Sequence, residues 1–179
     1  AARGRPHRLL HLGVVALALA TAGCRFEPLY GARTDASGAV RPGVSTELAA
    51  IAVDPPENRV QQVLRNELVF LFTGGGEPAA ERYRLRILTD QDQEALAVEQ
   101  EGDTPANVVV TLRATFILSE IDGGRTLLSG TAFQTASYAF STQRFANIRA
   151  LRDAEDRAAR GLARNISTRI AAYFDARGT

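Results

Sequence analysis

Val108, Val110, Leu112, Ala114, Phe116 and Leu118 fall on alternate positions, with Thr111, Arg113, Thr115 and Ile117 between them. A period of two over this length describes a strand with one apolar and one semi-polar face. The chain must therefore build a sheet whose apolar face lies beneath other elements. Asp122-Gly123-Gly124-Arg125 follows, and its glycines accept positive φ without steric cost, the signal of a hairpin. A two-residue Gly-Gly loop sets Phe116 opposite Thr131 and Leu112 opposite Thr135. A loop one residue longer, or a bulge, sets Phe116 opposite Ala132, Val110 opposite Tyr138 and Val108 opposite Phe140. The second pairing brings more apolar surface together and is the preferred reading, since a one-residue slip turns every side chain to the other face.

Tyr83, Leu85 and Ile87 alternate with Arg84, Arg86 and Leu88 in a further strand, which resumes through 95–98 after a polar kink at 90–94. Ile51 and Val53 mark a short strand in 48–53, and 99–105 reads as a loop. Cover for the sheet comes from two helices. Asp54-Pro55-Pro56-Glu57 reads as a helix start with Asp54 as cap. Val60, Val63, Leu64, Leu68, Leu71 and Phe72 give the helix its apolar face, and Gly74-Gly75-Gly76 ends it. That triple glycine is no phosphate loop, because it follows a helix and the chain has no Lys. A long terminal helix over about 147–176 carries Ile148, Leu151, Ala158, Leu162, Ile166, Ile170 and Phe174 near one stripe. Asp153 with Arg157 and Asp156 with Arg160 have the favourable i,i+4 order and read as surface support.

The order β-α-β-β-β-α predicts an α+β domain with two helices packed on one face of a four-stranded, mostly antiparallel sheet. Nothing in this chain is expected to cover the other face. Simple solvation is one reading of it; a partner surface is the other, because Leu88, Val109, Ile117 and Ile121 leave apolar area there. Arg84, Arg86 and Arg113 should share this face, and they are candidate contacts for a partner or for phosphate groups, to which guanidinium forks are suited. A solvated strand face is the alternative.

Composition narrows the function. The chain has 179 residues, room for about one domain. All 21 basic residues are Arg, and there is no Lys, Met or Trp; without Met, the sequence reads as lacking its first few residues. From residue 24 onward 18 Arg face 20 acidic residues, a net charge of −2, which removes the basic excess expected of a nucleic-acid binder. His7 and His11 both precede residue 24. If that segment is removed, no His remains for a nucleophile pair, a general base or a zinc site. A single Cys excludes intrachain disulfides and CxxC metal sites. No cofactor motif is present.

Residues 1–23 read as an export signal. Arg3, Arg5 and Arg8 precede an apolar run from Leu9 to Ala20, then Thr21-Ala22-Gly23-Cys24. The run is shorter than the roughly 18–20 residues of a spanning helix; a buried N-terminal helix is the competing reading. Ala22-Gly23-Cys24 resembles the lipobox of bacterial lipoproteins, although Thr21 stands where that pattern prefers Leu. The resemblance implies cleavage before Cys24 and acylation of Cys24, and several acyl chains anchor firmly. A free thiol is the alternative. Residues 24–47, rich in Gly, Pro, Ser, Thr and Ala, read as a lipidated arm, and 48–179 as a single domain.

Cys24-Arg25-Phe26-Glu27-Pro28-Leu29-Tyr30-Gly31 resembles the mature N-terminus of the LPS-assembly lipoprotein family LptE, in which a Phe-x-Pro-Leu-Tyr-Gly segment follows the acylated Cys. Arg25 replaces the family's usual Gly. Leu127-Leu128-Ser129-Gly130-Thr131-Ala132, Ser137-Tyr138 and the Ala/Arg-rich terminal helix agree in kind. The resemblance implies a non-enzymatic, outer-membrane, lipid-anchored protein. Its partners would be an LptD-type β-barrel, which it plugs and helps assemble, and lipopolysaccharide bound for the outer leaflet. Another periplasmic lipoprotein, such as a pilotin-like chaperone of a secretion channel, is the alternative. An enzyme would have to work through paired carboxylates about 5–10 Å apart, and the acidic residues here fall mostly in loops and on helix surfaces.

Overall fold

A computed structural model describes residues 33–34, 40–41, 43–76, 80–98 and 105–177. The signal segment, Cys24, the 24–31 octapeptide and residues 99–104 of the expected loop lie outside them. Two short strands, β1 (Arg33–Thr34) and β2 (Val40–Arg41), pair antiparallel. Then come α1 (Val44–Ala49), β3 (Ile51–Val53), α2 (Arg59–Thr73), β4 (Tyr83–Val98), β5 (Pro105–Glu120), β6 (Thr126–Ala139) and α3 (Arg144–Arg177). The main sheet has the order β3-β4-β5-β6. β3 runs parallel to β4, while β4–β5 and β5–β6 are antiparallel. The α+β architecture is thus the expected one, with a mixed sheet and one additional short helix.

Length explains how the layers fit. The 16 residues of β5 extend about 53 Å, and the 34 residues of α3 about 51 Å. α3 therefore runs the full length of the sheet. Its contact side is small as well as apolar: Ala154, Ala158, Ala159, Ala163 and Ala171 are buried beside Leu162, Ile166 and Ile170. Such residues let the helix axis approach the strands closely. α2, with 15 residues, reaches only about 22 Å. It covers the half of the sheet nearest β3 through Leu64, Leu68 and Phe72, which are buried with Leu85, Phe116 and Leu118.

The start of α2 differs from expectation. Its cap is Asn58, whose side chain accepts a hydrogen bond from the Gln61 N–H at 2.9 Å. Asp54 instead donates its backbone N–H to the Leu85 carbonyl at 3.0 Å, which ties it to the sheet before the helix begins. The Pro55-Pro56 pair spans the gap. At the far end Gly74 takes the left-handed conformation (φ 63°) and returns its N–H to Phe70, the stop expected there.

α1 carries no strong sequence signal, being only six residues long. Val44 and Leu48, one turn apart, are buried in the core, so this part of the expected arm packs as a helix. Glu47 fixes it to β4, accepting hydrogen bonds from Arg82 at 2.8 Å and from the Tyr83 hydroxyl at 2.7 Å. Burial first, and then this bond to a carboxylate, raise the Tyr83 pKa above its ordinary value.

β4 is continuous through the expected kink. Asp90, Asp92 and Glu94 alternate onto the uncovered face, and Gln91 and Gln93 onto the helix side beyond the reach of α2. There Gln91 donates to Glu155 of α3 at 3.1 Å. Polar residues on both faces suit a strand half that one helix covers. Arg59 makes ion pairs with both Glu155 and Asp156 at 2.8 Å; Asp156 thus joins α2 to α3 instead of pairing with Arg160.

The β5–β6 register lies two residues from the preferred one. Phe116 faces Gly130, Leu112 faces Gln134, Val110 faces Ala136 and Val108 faces Tyr138. The faces are those of the longer-loop reading, but the partners are not. The turn holds residues 121–124, closed by the Glu120 N–H bond to the Arg125 carbonyl at 2.9 Å, and a register shift between Leu118 and Ser119 absorbs the offset. Gly130 supplies the reason. A Cβ there would lie 3.0 Å from Phe116 Cζ, so the ring occupies the space that glycine leaves. Gly130→Val should destabilise the domain by roughly 1–3 kcal/mol, as overpacking does, measured by urea unfolding. Phe116→Leu in the same chain should recover part of that loss, and strictly additive effects would show that the two positions do not share this space.

Candidate interaction face

The register defines the uncovered face row by row. Arg86, Ile117 and Ser129 lie side by side across β4, β5 and β6; next come Leu88, Thr115 and Thr131, then Asp90, Arg113 and Phe133, then Asp92, Thr111 and Thr135. Arg84 stands beside Ser119 at the β3 end. All three candidate arginines therefore share one face, but in two places.

Arg84 and Arg86 straddle Asp54, with Nε–carboxylate distances of 3.8 and 3.6 Å. These contacts exceed hydrogen-bond length, and both guanidiniums are well exposed. Pairs of this kind are worth at most about 1 kcal/mol, so Asp54 moderates the local charge without consuming the arginines. Arg113 lies four β5 positions from Ile117, about 13 Å along the strand. It sits opposite Asp90, and its guanidinium carbon is 5.9 Å from the centre of the Phe133 ring. That cation–π contact holds it over the sheet.

Between these groups the face is apolar. Leu88 is 58% and Phe133 61% exposed, and Ile117 is half-buried. From the Arg113 row onward it becomes acidic along β4, through Asp90, Asp92 and Glu94. Reading 90–94 as a kink hid that acidic end, although the alternation 84, 86, 88, 90, 92, 94 already carries it. The face thus runs from cationic through apolar to acidic over a single sheet surface. It suits a broad partner or an amphiphile with anionic groups at one end better than a small substrate. A second exposed apolar group, Phe140, Phe145 and Ile148, lies where β6 gives way to the first turns of α3, with Phe145 82% exposed. Ile148, expected on the buried stripe, is exposed there, two turns before Glu155, where α3 meets the start of α2 at Arg59.

Among the described residues, no helix is long and apolar enough to cross a membrane. A family model described as "LptE: Lipopolysaccharide-assembly" matches residues 48–170, more than half of the chain. No curated protein sequence matches. Among solved structures, a Caulobacter crescentus protein described as a lipoprotein is 22% identical with a TM-score of 0.61, over 73% of this chain and 94% of that one. A minor lipoprotein from Acinetobacter baumannii is 18% identical with a TM-score of 0.50, over 68% and 88%. Rare lipoprotein B from Shewanella oneidensis is 11% identical with a TM-score of 0.52, over 69% and 92%. At these identities the likeness is one of fold.

Proposed function

Because this chain belongs to the LptE lipopolysaccharide-assembly family, we propose that it is a non-enzymatic outer-membrane lipoprotein, anchored through acylated Cys24. It plugs and helps assemble an LptD-type β-barrel that delivers lipopolysaccharide to the outer leaflet. The observation that carries this reading beyond the family is the uncovered sheet face. One side of the sheet is packed under helices, while Leu88, Ile117 and Phe133 remain open on the other, bordered by charge of both signs. An apolar area with a charged rim is the composition of an interface. Arg113 lies within it and is the residue chosen to test it.

Cys24→Ala should leave an uncleaved or mislocalised precursor. Intact mass spectrometry of the membrane-extracted protein checks this, and an unmodified internal Cys24 would refute the anchor.

Arg113→Glu should weaken co-purification with the barrel, identified by mass from solubilised outer membrane, while leaving the melting temperature within a few degrees of the parent. The exposed side chain supports this split, because surface substitutions usually change stability by within about 0.5 kcal/mol. Equal losses of complex and of thermal stability would count against a direct interface.

Arg84 and Arg86 are proposed to meet lipid A phosphates. Replacing both with Ala should lower lipopolysaccharide affinity and flatten its dependence on salt, since fewer charge contacts remain to be screened. Unchanged binding by a folded double variant would remove these residues from the site.

A further inference from the structure

β6 is an edge strand of the main sheet, and residues 126–140 contain no charged side chain. Edges of this kind template pairing with other chains unless something blocks them. Here the block comes from α3. Arg157 donates to the Ser137 carbonyl at 2.8 Å, and Arg169 donates to the Thr131 carbonyl at 2.9 Å. Both carbonyls therefore point away from β5. In an antiparallel ladder a residue's N–H and C=O point to the same side, so Phe133 and Thr135, of the same parity, also direct their backbone groups outward.

The spacing makes this a matched pair. Twelve residues of helix advance about 18 Å, and six residues of strand about 20 Å. Arg157, Gly161, Asn165 and Arg169 recur at i+4 and form one stripe along the β6 edge. Gly161 sets the approach, because a Cβ there would come within 2.8 Å of the Gln134 side chain. Asp153, which accepts from Arg157 Nε at 2.8 Å, braces that guanidinium against Ser137. The i,i+4 pair that reads as surface support in the sequence thus has a second task.

We propose that the outer edge of β6 is a strand-pairing surface for a second copy of this chain, and that Arg157 and Arg169 are a latch that keeps it closed. A second copy fits because two uncharged β6 strands related by a two-fold axis set no like charges opposite each other. The other long strand bordering the sheet, β4, carries Asp90, Asp92 and Glu94, which would face one another in a two-fold pairing centred on them.

The test compares the full chain with Arg157→Ala/Arg169→Ala in mild detergent, with protein mass measured by light scattering and amide exchange by mass spectrometry. The wild type should be a monomer. The double variant should double its mass and slow exchange at Phe133 and Thr135. Adding Thr135→Pro, which removes an outward N–H while leaving the β5 ladder intact, should restore the monomer. A wild type that is already a dimer would overturn the latch, as would a folded double variant that stays monomeric. A dimer that survives Thr135→Pro would place the contact elsewhere and overturn the surface. Should the double variant fail to fold, Arg169→Ala alone must shift part of the population to dimer, and no shift would sink the proposal.

Discussion

A sheet about 50 Å long needs cover over its whole apolar face, and only α3 is long enough to supply it. The rest of the structure depends on that match. The alanines of α3 let its axis lie close to the strands, the missing Cβ of Gly161 leaves room for the Gln134 side chain, and its polar flanks bind neighbouring elements. Arg59 of α2 reaches Glu155 and Asp156 of this helix, Gln91 of β4 reaches Glu155, and α1 packs near its far end. Where α2 also lies on the sheet, the core contains Phe116 and several leucines. Beyond the start of α2, β4 turns polar on both faces while Val108 and Val110 of β5 stay buried, and Phe145 and Ile148 at the start of α3 are left exposed.

Much of this was legible in the sequence because burial leaves a period. The alternation from Val108 to Leu118 gave the central strand and its faces, and the glycines after Phe72 gave the end of α2. The failures have a common physical origin: each depended on a partner distant in sequence. Six residues of α1 have too little period to register, and their reason to be helical is a core made by other elements. Asp54 has the right chemistry for a cap, but the Leu85 carbonyl claims its backbone first. Phe116 chose Gly130 over Ala132 because a ring fills the space above a glycine, a preference that hydrophobic matching of strands does not contain.

The candidate face was legible in the same partial way. Placing Arg84, Arg86 and Arg113 on one side needed only strand parity, which survives a two-residue error in register. Their division into an Asp54-flanked pair and a residue over Phe133 needed the register itself. The acidic end escapes any reading in which polar residues at 90–94 interrupt the strand, when three of those five lie on the uncovered face. Strand parity is therefore the firmest basis for assigning residues to the proposed interface, and pairwise contacts are the weakest.

One contact ties the last turns of α3 back to the start of β4. Phe174, near the C-terminus of α3, packs 5.0 Å from the Tyr83 ring, centroid to centroid, at the start of β4. Contacts between segments so far apart in sequence form late and slowly. A chain emerging from its N-terminus would hold β3, α2 and the whole sheet before the helix that completes their core. Formation of the full core is thereby postponed to the end of synthesis, so that an incomplete chain keeps the apolar face of its sheet partly unburied until α3 is made.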